Sequence, residues 1–199
     1  MPRRRYYRRY TRVVPAKKKW ASCIKQGQIF LTEEEQSEAG GYMTVEAKTL
    51  CLNAQDMGAP TPVILKTGNF KVQFDGAVEG IMDPLRQVVM FLMFIPEGVN
   101  PTGTFGSGTG LQSIADKHPE WIMGWKRIDT NSSVSQGAQS TNVVDLRPTS
   151  FSSRLKRNLN SGDSIYLVLV SSKQGATVAS GSSYSINIQY TCQFWTCSN

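Results

Sequence analysis

From Tyr184 to Phe194 the chain alternates without a break. Tyr184, Ile186, Ile188, Tyr190, Cys192 and Phe194 fall on one parity, and Ser185, Asn187, Gln189, Thr191 and Gln193 on the other. A period of two sends successive side chains to opposite faces of an extended strand, so this segment buries one face and shows water a neutral polar one. A helix cannot satisfy the pattern, because its period of 3.6 would carry both parities onto both sides.

The same reading extends along the chain. Asn69-Phe70-Lys71-Val72-Gln73-Phe74-Asp75 alternates and is expected to stop at Gly76, and Met43, Val45 and Ala47 interleave with Glu46 and Lys48. Val88–Ile95, Trp121–Trp125 and Ile165–Val170 are apolar on both parities, which predicts strands covered on both faces, the second cover being a loop or another subunit. Within them Trp121 and Trp125 should share one face, with Ile122 and Ile128 on the other. The only helix signal is Leu111–Lys117, which Pro119 ends by forcing His118 out of the α region. Gly40-Gly41, Gly58-Ala59-Pro60, Pro96-Glu97-Gly98 and Asn160-Ser161-Gly162-Asp163 punctuate the strands as turns. With loops expected at 53–62, 97–117 and 130–149 and no internal repeat, the fold class is all-β, a sandwich or jelly roll.

The charge is divided unevenly. Residues 1–19 hold Arg3, Arg4, Arg5, Arg8, Arg9, Arg12, Lys17, Lys18 and Lys19, nine of the 22 basic residues, and no acidic one. The other 13 face all 15 acidic residues, so the net +7 is an arm of +9 on a body of −2. The division predicts a disordered basic arm over 1–19 and one folded domain over 20–199, long enough to bury about 70% of its unfolded surface without disulfides or metal. The longest apolar run has eight residues, against about twenty for a membrane-spanning helix. No apolar region follows the N-terminal charges, which argues against a secretory leader, and the arm lacks the serines of a mitochondrial presequence. Cys23, Cys51, Cys192 and Cys197 form no CxxC pair and have one histidine, His118, for company, so reduced and mostly buried thiols are expected rather than a zinc site.

Catalytic patterns fail one by one. Gly103-Thr-Phe-Gly-Ser-Gly-Thr-Gly110 is glycine-rich, but no Lys-Ser/Thr follows it and its spacing is not that of a dinucleotide fingerprint. There is no G-x-S-x-G elbow, and any serine–histidine arrangement would have to use His118, pinned before Pro119. Glu33-Glu34-Glu35-Gln36-Ser37-Glu38 could hold a cation but reads first as a solvated loop. No catalytic residue, metal or cofactor is expected.

The arm remains. Nine cations without counter-charge suit a polyanion. Tyr6, Tyr7 and Tyr10, followed by Trp20, add flat faces on which unpaired bases can stack, while arginine supplies bidentate phosphate contacts. Single-stranded nucleic acid is therefore the favoured partner, DNA or RNA left open. The arm has no apolar face for a bilayer interface, and its two basic clusters would also serve as a nuclear localisation signal read by an import receptor. An arm of this kind on a body without an active site suits a coat protein. The competing reading is a soluble single-stranded nucleic-acid-binding protein, ribosome-associated or with an OB-like β-barrel.

With these residues in view, the chain resembles the capsid proteins of small circular single-stranded DNA viruses, the circovirus-like group. The resemblance is carried by MPRRRYYRRYTR at the start, QVVMFLMFIPEGVNP at 87–101, HPEWIMGWKRID at 118–129, SRLKRNLNSGDSIYLVLVSS at 153–172 and YSINIQYTCQFW at 184–195. It implies a single eight-stranded jelly roll and self-assembly into a closed icosahedral shell of about sixty copies. It also implies packaging of a circular single-stranded DNA genome, passage through the host nucleus during assembly, and an attachment factor on the host. The arm is short for the family, and the resemblance then assigns Arg154, Lys156 and Arg157 to an inner wall that adds basic charge.

Overall fold

The computed structural model describes residues 19–34, 42–53, 64–80, 86–105, 114, 116–130, 143–173 and 183–198. Its elements run β1 (Ala21–Glu34), β2 (Tyr42–Leu52), β3 (Leu65–Gly80), β4 (Arg86–Ile95), α1 (Pro101–Phe105), β5 (Ile122–Ile128), β6 (Val143–Ser153), β7 (Arg157–Leu159), β8 (Ser164–Lys173) and β9 (Ser183–Ser198). One sheet has the order β1-β9-β3-β6, with β7 alongside β3, and the other β2-β8-β4-β5. All pairings are antiparallel. The pairs β1–β9, β2–β8, β3–β6 and β4–β5 nest inside one another along the sequence and alternate between the sheets, as in one long ribbon rolled up on itself. This is an eight-stranded jelly roll, to which β7 adds three residues.

The alternation in β9 does what its period requires. Tyr184, Ile186, Ile188, Cys192 and Phe194 enter the core between the sheets, beside Phe70, Val72 and Phe74 of β3 and Val88, Met90 and Leu92 of β4. Phe70 and Phe194 stack with ring centroids 5.3 Å apart. Burial of side chains this size stabilises by about 1.5–3 kcal/mol each. Of the doubly apolar strands, β4 and β8 have their second cover within the chain. Val89, Phe91, Met93 and Ile95 of β4 and Val168 and Val170 of β8 form an outer apolar layer with Phe105 of α1, Ile114 and Trp121. The segment after β4 is therefore a lid on the second sheet. Its described residues include α1, which the sequence did not signal, and helical turns at Ile114, Asp116 and Lys117 that end before His118, as Pro119 dictates.

Several expectations are corrected. β3 does not stop at Gly76 but continues to Gly80 in unbroken register with β9, while its other partner, β6, bulges at Arg147 and Pro148. A Cβ at Gly76 would sit 2.0 Å from the Asn187 carbonyl oxygen, so the glycine serves close strand approach and not termination. Residues 143–149, expected in a loop, belong to β6 despite Pro148, because β6 is an edge strand and the register shift beside Pro148 removes the need for its N–H. Glu33 and Glu34 lie at the end of β1, paired with Tyr184 and Ser183, and not in a loop; Glu35, Gln36, Ser37 and Glu38 lie outside the described residues. In β5 a register shift sends Ile122 to the outer layer opposite Met93, on the side of Trp121 and Trp125, while Met123 and Ile128 point inward. Trp125, opposite Phe91, is 61% exposed.

The Asn160–Asp163 turn forms as its residues predict, with Gly162 at φ 84°. The buried Asp163 carboxylate accepts hydrogen bonds from the backbone N–H groups of Asn160 (2.9 Å) and Glu97 (3.2 Å), and Asn53 donates to the Leu159 carbonyl at 2.9 Å. This polar knot ties the end of β2 to both turns. None of the four cysteines is in a disulfide; Cys192 and Cys197 are buried and Cys23 and Cys51 half-buried. Burial pushes the Cys192 thiol up to about 12, and burial, then the neighbouring Cys23, pushes Cys51 up to about 11.

Candidate nucleic-acid interface

The residues expected to hold nucleic acid divide into three groups. Arg3, Arg4, Arg5, Tyr6, Tyr7, Arg8, Arg9, Tyr10, Arg12, Lys17 and Lys18 lie outside the described residues. Lys19 and Trp20 are exposed and lead directly into β1, the edge strand of the first sheet. Arg154, Lys156 and Arg157 lie in the link from β6 into β7, and the structure separates them. Arg154 and Lys156 are exposed. Arg157 is half-buried; its Nη2 donates to the Glu120 carbonyl and its guanidinium lies 5.5 Å from the Phe94 ring centroid. It fastens the 3-10 turn Pro119–Trp121 to the sandwich.

Lys156 turns toward the base of the arm. Its Nζ is 5.7 Å from the Trp20 ring centroid, within range of a cation–π contact. Trp20, Asn69, Lys156 and Trp195 together line a cleft of about 230 Å³. The register explains the grouping. Trp195 belongs to the outward parity of β9 and pairs with Ser22 on one side and Gly68 on the other. Gly68 offers no side chain, and a Cβ there would lie 2.8 Å from Lys156 Cγ; the lysine stem fills that place on the sheet. Asn69 follows at φ 54°, the one positive-φ residue other than glycine among those described, at the bulge between Gly68 and Lys71. Asparagine tolerates this left-handed conformation better than most residues.

Charge on this outer face is graded along the strands. Lys66 and Lys71 share the outward face of β3 with Gly68, the bulge having shifted the parity between them, near Lys19, Arg154 and Lys156. The described acidic residues of that face, Asp75, Glu79 and Asp145, lie toward the opposite end, where β3 pairs with Gln189, Ser185 and the start of β6. Between the two ends is a shallow, mostly polar depression of about 570 Å³, lined by Gln26, Gln73, Gln189 and Thr191 and bordered by Asp75 at the acidic end. Trp195, Lys66, Lys71 and Asn69 were missed in the sequence. Trp195 had a readable signal, as the one aromatic on the polar parity of β9.

His118 is absorbed by packing. Its ring stacks on Trp121 with centroids 3.6 Å apart and meets Phe105 edge-on at 6.3 Å, and its Nδ1 lies 3.2 Å from Glu120 Oε1. A hydrogen bond from Glu120's own backbone N–H, then that histidine and Arg157, lower the Glu120 carboxyl. Among the described residues no group of three or more His, Cys, Asp or Glu side chains could hold a metal ion, and no helix is long and apolar enough to cross a membrane.

No protein-family profile and no curated protein matches the chain. Solved structures do. Similar to it are a chain of infectious bursal disease virus, Gx strain, at 7% identity and TM-score 0.27, covering 91% of this chain and 36% of that one, and VP1 of Trichodysplasia spinulosa-associated polyomavirus in complex with 3′-sialyllactose, at 10% identity and TM-score 0.23, covering 94% and 97%. VP1 of Merkel cell polyomavirus in complex with disialyllactose is similar at 8% identity and TM-score 0.24, again covering 94% and 97%. Each is a viral protein. This chain spans little more than a third of the bursal disease virus chain. At these TM-scores the jelly-roll assignment rests on the strand order itself.

Proposed function

We propose that this chain is the coat protein of a small virus: the jelly roll tiles a closed shell, and the basic arm condenses a single-stranded genome inside it. The observation that carries the reading is one conjunction. A jelly roll with its acidic and basic residues nearly balanced continues, at the first residue of its edge strand, into a segment with nine cations and no acid. The circovirus-like resemblance adds that the genome is circular DNA, the shell icosahedral with about sixty copies, and the route one through the nucleus, with the arm read by an import receptor. Attachment to a host factor would then fall to the outer surface. The chain's place is the virion. The competing soluble nucleic-acid-binding protein with an OB-like barrel loses ground to the strand order, which is that of a two-sheet jelly roll.

The test is electron microscopy of the purified full-length protein with nuclease treatment of the particles. Uniform closed shells holding protected DNA are expected. Dispersed monomers at every salt concentration, or shells holding only RNA, would overturn the coat-protein reading or its DNA component respectively. A variant with Arg3, Arg4, Arg5, Arg8, Arg9 and Arg12 changed to Ser should still form shells but lose the protected nucleic acid and the nuclear accumulation.

A further inference from the structure

We infer that the cleft between Trp20 and Trp195, floored by Lys156 over Gly68, is a stacking site for one unpaired base of a single-stranded nucleic acid. It is a binding site on the folded body, separate from the arm, and it rests on the reading of the chain as a nucleic-acid-packaging protein.

Four features converge on this occupant. Two indoles, 40% and 38% exposed, stay open to solvent on a face where the other β9 positions are small or amide side chains. A surface tryptophan is costly to solubility unless a partner covers it, and two lining one cleft offer flat surface to a planar guest. The cleft lies among cations: Lys156 within it, Lys66 and Lys71 along β3, and Lys19 and Arg154 on the flanking segments. Among the described residues, the outward positions from Ser22 to Phe30 of β1, from Gln189 to Trp195 of β9 and from Lys66 to Gln73 of β3 carry no acid. A polyanion can therefore approach without repulsion, while its base finds the indoles. Asn69, held by its bulge at the rim, presents an amide able to donate to and accept from a base edge.

Chain direction adds continuity. Trp20 immediately follows Lys19, so a strand condensed on the arm reaches the cleft without crossing acidic surface. Stacking on indoles accepts any base, because every base has a π-face, but excludes one already stacked in a duplex. The site therefore discriminates single strand from duplex and not one sequence from another.

The experiment uses the full-length protein and three probes of equal length: oligothymidylate, an abasic oligonucleotide with the same phosphates, and a duplex. Trp195→Ala and Trp20→Ala are expected to weaken oligothymidylate binding by at least about fivefold. They should leave abasic and duplex binding and the salt slope unchanged, and Trp195→Phe, which keeps a ring, should restore most of the loss. Lys156→Gln should instead lower the magnitude of the salt slope by about 0.7. If Trp195→Ala fails to fold by circular dichroism, Trp20→Ala, which lies outside every strand, carries the test. Unchanged oligothymidylate affinity in both tryptophan variants, with binding still lost in the arm variant, overturns the cleft and leaves the coat-protein reading standing. Altered particle formation with unchanged affinity overturns it also, and makes the cleft a contact for a neighbouring copy. Failure of the wild-type protein to bind any of the probes sinks the reading on which the site rests.

Discussion

Phe105 tests whether the segment after β4 is a structural layer or a passive loop. Its side chain is 1% exposed, in a helix of five residues too short to persist alone. What holds it is the outer face of the second sheet and Trp121, whose ring it meets edge-on at 6.2 Å. Phe→Ala in a buried site costs about 3–5 kcal/mol. The edge-on contacts with Trp121 and His118 support the full range, but a short surface-crossing segment can partly collapse into the space, which favours about 3 kcal/mol. For a protein of this length each kcal/mol moves Tm by roughly 2–4 °C, so Phe105→Ala should melt about 6–12 °C lower. Trp125→Ala is the control. At 61% exposure, an indole removed from solvent-facing surface should change stability by no more than about 0.5 kcal/mol, or 1–2 °C. Thermal melts of unassembled protein, followed by far-ultraviolet circular dichroism, compare the two. Equal shifts would refute the reasoning, and so would Phe105→Ala melting with the wild type, since the layer would then contribute nothing to the fold.

Gly76→Ala should yield little soluble protein, because its Cβ would meet a backbone carbonyl at 2.0 Å that can move only with β9; normal yield and melting would contradict the close approach. Cys192 should react with a thiol reagent only as fast as the protein unfolds. Since its folded pKa, about 12, lies above the unfolded value of 9.0, the native state holds the proton more tightly, so its contribution to stability is intact below about pH 9 and is lost as pH rises toward 12. Urea midpoints of Cys192→Ala and wild type should accordingly converge as the pH rises, and parallel curves would refute the assignment. Binding to a single strand should show log K against log salt falling with slope about −6 if all nine arm cations meet phosphate; a slope near zero would exclude electrostatic packaging.

How much could be read beforehand depended on how cleanly each strand divides inside from outside. β9 divides cleanly from Tyr184 to Trp195, and only Cys197 near its end is buried on the outward parity. β4 and β8 announced a second covered face, and the cover is the chain's own. β1 was illegible because it is an edge strand: Ile29 and Leu31 are buried, but Ile24 and Phe30 are exposed at 63% and 55%, which blurs the parity. β6 was hidden by Pro148, a residue that only an edge or a bulge tolerates. In β5 the obstacle was a bulge, since one extra residue reverses every later assignment of face, and at Gly76 it was a glycine that serves close approach to β9 but reads as a stop. The interface was half legible for a different reason. The arm is contiguous, so its charge can be counted, whereas Trp20, Gly68, Asn69, Lys156 and Trp195 come from four separate segments and meet only through the strand order.

The pairing of β1 with β9 also has a mechanical consequence. The two strands are in register from Ala21 opposite Thr196 to Glu34 opposite Ser183, and the arm continues from the end of β1 at Ala21. A pull on the arm along the strand axis is therefore a shear, in which the whole ladder must yield together and not one rung at a time. A pull perpendicular to the sheet would peel β1 away from its Ala21 end, rung by rung, at far lower force. A tethered polymer recoiling inside a shell would be held firmly in the first geometry and could strip the edge strand in the second, so the angle at which Lys19 and Trp20 leave the sheet sets how much tension the body withstands.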